Sequence, residues 1–253
     1  LAFPDQPQLQ QRILRQQPYE LGRFLIDALR ASTLDREWYQ KHVSVREIGA
    51  STTVPDPQRG HLLVCGHLGS FELMAHAYAH LRRPALVIMR DFKSPLLHAW
   101  WARKRQSSGH EYISRDGALR PVLRALRRAR AVGILFDQNV RRENAIFVDW
   151  FGRPAATTGA TALAALSSNC SVQLMSIRNL PHSKYELVLE ECSVDDLCND
   201  PALTKDQKVQ QITQRLSDRF QAHIREFPEG WFWLHRRWKT APTREQETFY
   251  AGC

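Results

Sequence analysis

Nowhere in the 253-residue chain is there an uncharged apolar run of about 18 residues, so no segment reads as a transmembrane helix. There is no CxxC pair either: the cysteines stand far apart at 65, 170, 192, 198 and 253. An odd, scattered set excludes a disulfide scaffold, gives no zinc-ligand spacing, and fits thiols kept reduced in a cytosolic setting. The sequence opens LAFPDQPQLQ, without Met and without the basic, apolar and small-residue succession of a signal peptide. The expectation is therefore a fragment whose true start lies upstream, and the missing membrane helix says little about the full product. Internal repeats, low-complexity tracts and the alternating basic and aromatic platforms of a nucleic-acid module are absent as well.

What is present is a globular composition. With 43% hydrophobic and 24% charged residues, seven Trp, eleven Phe and six Tyr, the chain can bury a full core. Lys and Arg number 35 against 26 Asp and Glu, a formal charge of +9. Such an excess either suits an acidic partner, such as an anionic membrane face, a phosphorylated substrate or an acidic carrier protein, or is ordinary solvated surface.

Hydrophobic periodicity predicts strands over 61–65, 84–89, 110–113, 131–136, 144–148, 171–177 and 184–190. It predicts helices over 70–81, 95–106, 117–130, 158–168 and 203–226. Pro121 moves the start of the third helix to about Leu119, where a proline fits the opening turn. Ahead of this alternation, residues 8–30 read as two short amphipathic helices broken at Pro18, which either cover one side of the domain or lie on a membrane. The loop STTVPDPQRG, 51–60, precedes the first strand. The expected organisation is an N-terminal helical region over 1–54, an α/β domain over 55–240 and a polar tail over 241–253, with 192–206 a surface excursion. In such a domain, sites gather at the carboxyl ends of strands, and His67, Arg90, Arg115 and Asp137 all stand at or just past a predicted strand end.

HLLVCGHLGSFELMAH, 61–76, passes from an apolar run to a helical rhythm across a glycine-containing corner. His67 is the candidate general base there, because imidazole ionises near neutral pH. Glu72, five residues on, is the expected partner that orients the ring, in a chain from Glu72 to His67 to a substrate hydroxyl. The bland alternative is a structural histidine. Arg90 and Arg115 are suited to bidentate phosphate contacts, or else Arg115 pairs with Asp116 or Asp137. Asp137 either organises arginines or sugar hydroxyls, or is a satisfied turn carboxylate. The helix LRPVLRALRRARA, 119–131, mixes leucines with five arginines, and Arg103, Lys104 and Arg105 add charge one helix earlier. That surface fits anionic lipid or an acidic carrier, or is a solvated outer face. The small residues of TTGATALAALSSN, 157–169, allow close helix packing or approach to an acyl chain. Trp231, Phe232, Trp233 and Trp238, set among Arg236, Arg237 and Lys239, suit either a lipid headgroup interface or the core. Ser70 lacks a nucleophile-elbow context, so no covalent acyl-enzyme is expected.

Together, the GHLGSFE segment at 66–72, Arg90, Arg115 with Asp116, ILFDQNV at 134–140, IFVDWFG at 146–152 and PEGWFWLHRRWK at 228–239 resemble the bacterial lipid A biosynthesis acyltransferases. These belong to the larger glycerolipid-acyltransferase-like superfamily, and the resemblance covers roughly 55–240. It implies a mixed, mostly parallel central sheet flanked by helices, with N-terminal amphipathic helices. It assigns His67 and Glu72 to the His-x4-Asp/Glu pair acting on the acceptor hydroxyl. Arg90 matches the arginine after the second core strand, and Asp137 the acid of an Asp-Gln/His-Asp segment whose second acid is here Asn139. His235, Arg236 and Arg237 match the aromatic and basic ending, and with Arg90, Arg115 and Asp137 the two arginines become candidate substrate contacts. The implied reaction is transfer of a fatty acyl chain from an acyl-thioester, acyl carrier protein in preference to coenzyme A, to a hydroxyl of a lipid A precursor. The implied location is the cytoplasmic face of the bacterial inner membrane, peripheral or anchored by a segment outside this chain, against an anionic membrane surface. No cofactor, metal or nucleic acid is implied. The competing expectations are acylation of another glycerolipid or glycolipid, and a noncatalytic lipid-binding protein.

Overall fold

The strand His61–Cys65 (β2) is buried along its whole length, as a continuous apolar run must be when both faces of its sheet are covered. Leu62 and Val64 point into one core and Leu63 and Cys65 into the other, the alternation that a strand imposes on successive side chains. The computed structural model describes residues 2–49 and 58–244. Most of the loop expected at 51–60 and most of the tail expected at 241–253 lie outside the described residues.

Around β2 a seven-stranded sheet assembles from Val43–Ile48 (β1), Ala85–Met89 (β3), Glu111–Ser114 (β4), Ala131–Leu135 (β5), Ser171–Leu180 (β8) and Lys184–Glu191 (β9), in the order β1-β9-β8-β2-β5-β3-β4. Neighbours run parallel except β8 and β9, which form an antiparallel pair. The mixed, mostly parallel sheet expected from the sequence is therefore the one formed. Phe71–Leu81 (α3) packs Leu73, Met74 and Ala77 on one face. Leu119–Arg127 (α5), Ala160–Ser168 (α6) and Lys205–Glu226 (α8) cover the other. α5 buries Val122, Ala125 and Leu126 and turns Arg120 and Arg124 outward, while the alanines of α6 allow close approach to the sheet. Thr204 caps α8 through a reciprocal capping box with Gln207. Pro95–Gln106 (α4) lies on the surface, as does the short helix Asp195–Asn199 (α7).

Three features depart from the periodicity reading. The two helices expected before residue 30 are one, Pro7–Arg30 (α1), with Pro18 inside it. Pro18 removes the hydrogen bond to the Leu14 carbonyl, but both residues face outward, and Ile13, Asp27 and Ala28 anchor the helix from its inner side. After Arg36–His42 (α2), β1 adds an unexpected edge strand, so the segment expected to be wholly helical supplies part of the sheet. The strand expected at 144–148 is Ala145–Trp150 (β6), and it leaves the central sheet to pair with the unexpected strand Arg153–Thr158 (β7). Their connection turns through Phe151 (φ 54°) and Gly152 (φ 77°), the two left-handed positions of a tight hairpin. Among the described residues no helix is long and apolar enough to cross a membrane.

α1 is fastened by a buried polar network. Asp27 accepts from Ser70 Oγ (2.5 Å), from Tyr185 Oη (2.8 Å) and from Arg30 Nε (3.0 Å). Ser70 lies at the N-terminus of α3, and Tyr185 belongs to β9. A single carboxylate of α1 thus ties the helix to the sheet and to the corner that follows β2.

Candidate active site

His67 lies in the corner between β2 and α3, two residues past Cys65. In the neighbouring strand Leu135 pairs with Cys65, so Asp137, also two residues past its strand, stands level with His67. Parallel register thus brings together side chains seventy positions apart. His67 Nδ1 meets Asp137 Oδ1 at 2.7 Å, and the His67 backbone N–H donates to Asp137 Oδ2 at 2.8 Å. Trp231 Nε1–H donates to the same oxygen at 2.8 Å.

Asp137 is 2% exposed. Burial alone would raise its pKa, but the His67 charge, with hydrogen bonds from the His67 ring, Trp231 and the His67 backbone, holds it down at about 2. A carboxylate that accepts from Nδ1–H leaves Nε2 as the free lone pair of a neutral ring, the atom able to take a proton. Gln138, the next residue, presents its side-chain amide to Nε2 at 3.2 Å.

The corner itself is held from several sides. Gly69 sits at φ +62° and donates to the Gly230 carbonyl (2.9 Å), while the His67 carbonyl accepts from Phe232 (3.0 Å). A Cβ on Gly69 would strike the Ile177 carbonyl, and one on Gly66 would strike the Phe220 ring and the Asp137 carboxylate. Phe71 packs edge-on against the imidazole at 4.7 Å between ring centres and stacks on Phe24 of α1 at 4.5 Å. Beside His67 opens a shallow cleft lined by Leu21 and Phe24 of α1 and by Phe71, Trp231 and Phe232.

Glu72 does not form the expected link to His67. Its carboxylate makes a two-pronged pair with Arg105 of α4, Nε to Oε2 at 3.0 Å and Nη2 to Oε1. α3 begins at Phe71, and successive residues of a helix diverge by about 100°. Phe71 therefore takes the direction of the imidazole and Glu72 turns towards α4. The arginine continues the contact with Met89 Sδ at 3.6 Å and lies 5.7 Å from the Tyr112 ring centre.

The remaining candidates divide. Arg90 and Arg115 follow neighbouring strands, and the Arg115 backbone N–H donates to the Met89 carbonyl at 2.9 Å. Both are exposed, and the Arg115 guanidinium approaches Asp116 only at 3.9 Å. They lie beside one another at the end of β3 and β4, and β3 is two strands from β2, about 10 Å across the sheet. Arg236 is exposed. Arg237 corrects the expectation of a substrate contact: it is wholly buried, donates to the Ala156 carbonyl (2.7 Å) and to Thr157 Oγ1, and lies over the Trp150 ring at 4.4 Å. Its fixed fork suits three structural partners at once, which is what lets a guanidinium be buried.

Trp231 and Trp238 likewise belong to the core rather than to a headgroup surface. Trp231 stacks on Trp150 at 5.8 Å, and Trp238 Nε1–H donates to the Trp150 carbonyl at 3.2 Å. Asn139, where a second acid was expected, acts as a clamp. Its backbone N–H donates to His235 Nε2 (2.8 Å), and its amide exchanges bonds with Thr240 (3.0 and 3.1 Å). Burial lowers the pKa of His235, consistent with a ring nitrogen that accepts.

The sequence reading missed the support that Trp231 gives Asp137, and the contact between Gln138 and His67. The second follows once β2 and β5 are known to be neighbours, while the first depends on the bridge between Leu68 and Trp231. Cys65 is a fully buried free thiol whose pKa burial raises, so it offers no thiolate beside the imidazole. Among the described residues no group of three His, Cys, Asp or Glu is arranged to hold a metal ion.

Comparison with known proteins gives the family. The chain is 27% identical over 256 residues to a lipid A biosynthesis acyltransferase of Haemophilus influenzae, covering 99% of this chain and 78% of that protein. It is 29% identical over 194 residues to the lipid A biosynthesis lauroyltransferase of Escherichia coli, covering 73% of this chain and 58% of the enzyme, less than two thirds of its length. A crystal structure of the 1-acyl-sn-glycerophosphate acyltransferase from Thermotoga maritima superposes with a TM-score of 0.42 at 15% identity, over 82% of this chain and 81% of that one. The family model described as bacterial lipid A biosynthesis acyltransferase matches residues 1–240, and the chain belongs to that family.

Proposed function

We propose that the protein transfers a fatty acyl chain from an acyl-thioester, carried by acyl carrier protein, to a hydroxyl of a lipid A precursor. The observation behind this reading is the imidazole held by a buried carboxylate on one nitrogen, in a ring that lines a largely apolar cleft. His67 Nε2 accepts the proton of the acceptor hydroxyl as its oxygen attacks the thioester carbonyl carbon. The tetrahedral intermediate then expels the thiolate, breaking the C–S bond, and the imidazolium returns the proton to sulfur. Ester and free thiol are the products. Asp137, and not Glu72, stabilises the imidazolium. Glu72 serves by anchoring α4 through Arg105. Arg90 and Arg115, exposed side by side at two strands' distance, are placed to hold phosphate of the acceptor or of the carrier arm, with Arg236 a further candidate.

Membrane engagement belongs to the same reading. Leu14, Leu25 and Leu29, with Ile26 and Tyr19 beside them, lie on the outward side of α1 and are between 51 and 72% exposed. On a helix covering a soluble domain that side is polar. Leu96, Leu97 and Trp100 of α4 are exposed too, and Lys104 of α4 donates to the Leu29 carbonyl at 3.0 Å, which joins the two helices. With a chain charge of +9, this apolar face suits peripheral contact with an anionic bilayer, at the cytoplasmic face of the bacterial inner membrane. Replacing Leu25 and Ile26 by serine is expected to lower cosedimentation with anionic vesicles about tenfold. Unchanged cosedimentation would remove α1 from the interface.

Mass spectrometry of products formed from lipid A precursors and a panel of acyl-thioesters tests the reaction. An acceptor heavier by one acyl group is expected, with the carrier-protein thioester the better donor. A preference for coenzyme A thioesters refutes the donor, acylation of a glycerophospholipid alone refutes the acceptor, and the absence of any acylated product refutes the enzyme.

A further inference from the structure

The dipeptide Asp137-Gln138 addresses both nitrogens of His67. Asp137 takes Nδ1 from below, in the core, and Gln138 reaches Nε2 from the exposed side, its amide nitrogen at 3.2 Å. The position of this loop is fixed on the far side by Asn139, through its bonds to His235 and Thr240, and by Val140, whose N–H donates to the Ala156 carbonyl at 3.4 Å. Gln138 is thus a solvent-reached side chain on an anchored backbone, aimed at the atom that must accept the substrate's proton.

Acyl transfer through a tetrahedral intermediate needs a hydrogen-bond donor for the carbonyl oxygen as it gains negative charge. Several of the donors nearest His67 are already engaged. The backbone N–H of His67 is bonded to Asp137, that of Gly69 to the Gly230 carbonyl and that of Phe71 to the Gly69 carbonyl. Ser70 Oγ is committed to Asp27, and Trp231 Nε1 to Asp137. The Gln138 amide differs from all of these, because its partner is the Nε2 lone pair, which the acceptor hydroxyl claims on arrival.

We propose that Gln138 is a further catalytic residue, whose side-chain amide caps His67 in the free protein and, once displaced by the acceptor hydroxyl, donates to the thioester carbonyl oxygen as it becomes an oxyanion. The inference rests on the reaction assigned to His67 above. A single lone pair on Nε2 cannot serve both donors well, so acceptor binding frees the amide. The freed amide lies close to the reacting centre, since a hydroxyl bonded to Nε2 stands about 3 Å from it and attacks a carbon at about the same distance. No proton leaves Gln138 and no bond to it forms. It contributes dipole and geometry only.

Steady-state transfer by the purified parent chain, Gln138→Ala and Gln138→Glu provides the test. Gln138→Ala is expected to lose about 100-fold in kcat, with KM for thioester and acceptor changed less than about twofold. Gln138→Glu keeps the shape but replaces the donor with an anion, and falls at least as far. Because the residue is exposed, both variants keep the parent's melting temperature. A Gln138→Ala kcat at or above the parent's would make the contact a mere cap on the base, and a rise in KM at constant kcat would make Gln138 a binding residue. Either result overturns the proposal while leaving the reaction intact. A parent chain that acylates nothing overturns the reaction first, and this role with it.

Discussion

Among the described residues two histidines meet a carboxylate at hydrogen-bond distance, and the pairs differ in what surrounds the second ring nitrogen. His67 and Asp137 meet at 2.7 Å, and so do His223 Nε2 and Glu190 Oε2. Around His223 the remaining nitrogen is bonded to Ser176 Oγ at 2.7 Å, the ring is 3% exposed, and Arg219 closes the far side of Glu190. Burial alone would raise the pKa of Glu190, but the bonds from His223 and Arg219 hold it low. Serine, histidine and glutamate stand there in the order of a hydrolytic triad, yet the hydroxyl is enclosed between β8, β9 and α8 and no substrate reaches it. The group fastens α8 to the sheet. At His67 the corresponding nitrogen meets an exposed amide, and the ring lines a cleft. What separates the two pairs is thus less the carboxylate than whether the opposite nitrogen is left accessible, the condition a general base requires.

The sharpest way to break this contrast is to delete each imidazole. His67→Ala, which strips a buried carboxylate of its partner and so lowers stability, is expected to lose about 1000-fold or more in kcat per folded molecule. His223→Ala, which leaves a buried carboxylate without its partner, is expected to lose about 3 kcal/mol of stability, with turnover per folded molecule preserved. Reversed outcomes would exchange the roles of the two sites. A smaller effect is expected from Asp137→Asn, about 100-fold in kcat, because the ring keeps its place but loses the charge that stabilises imidazolium. The same variant has a signature in acid. A carboxylate held at about 2 in the folded protein and titrating near 4 when unfolded adds stability that is fully present above about pH 4 and lost as pH falls towards 2. Urea titrations across that window should slope less steeply for Asp137→Asn than for the parent. Least affected is Glu72→Gln: loosening the bond to Arg105 should cost about 1 kcal/mol and less than about fivefold in kcat. A Glu72→Gln loss equal to that of Asp137→Asn would restore Glu72 as the partner of the base.

The corner at 66–72 was legible because everything that shapes it is local: an apolar run, two glycines and a helical rhythm. The partner of His67 was not, since it depends on β2 and β5 being adjacent, and strand order is not written into either strand. Both residues were recognised as strand-end residues. Only the register Cys65 to Leu135 makes them neighbours. Residue type misled at Glu72, where sequence spacing matched but helical direction did not. It misled again at Arg237, where a charged side chain is buried because three partners await it. Pro18 and the strands β1 and β7 were missed for a related reason: tertiary contacts hold these segments against weak or contrary local preference.

Asp27 connects α1 to Ser70, three residues from the imidazole, and α1 also supplies Leu21 and Phe24 to the cleft wall. Helix α1 is therefore masonry of the cleft beside His67, and a chain trimmed to begin after Arg30 would not be a smaller version of the same fold. Ser70 and Tyr185 would lose their shared acceptor, Phe71 its stacking ring, and the cleft one of its sides, leaving the imidazole standing in an open trough.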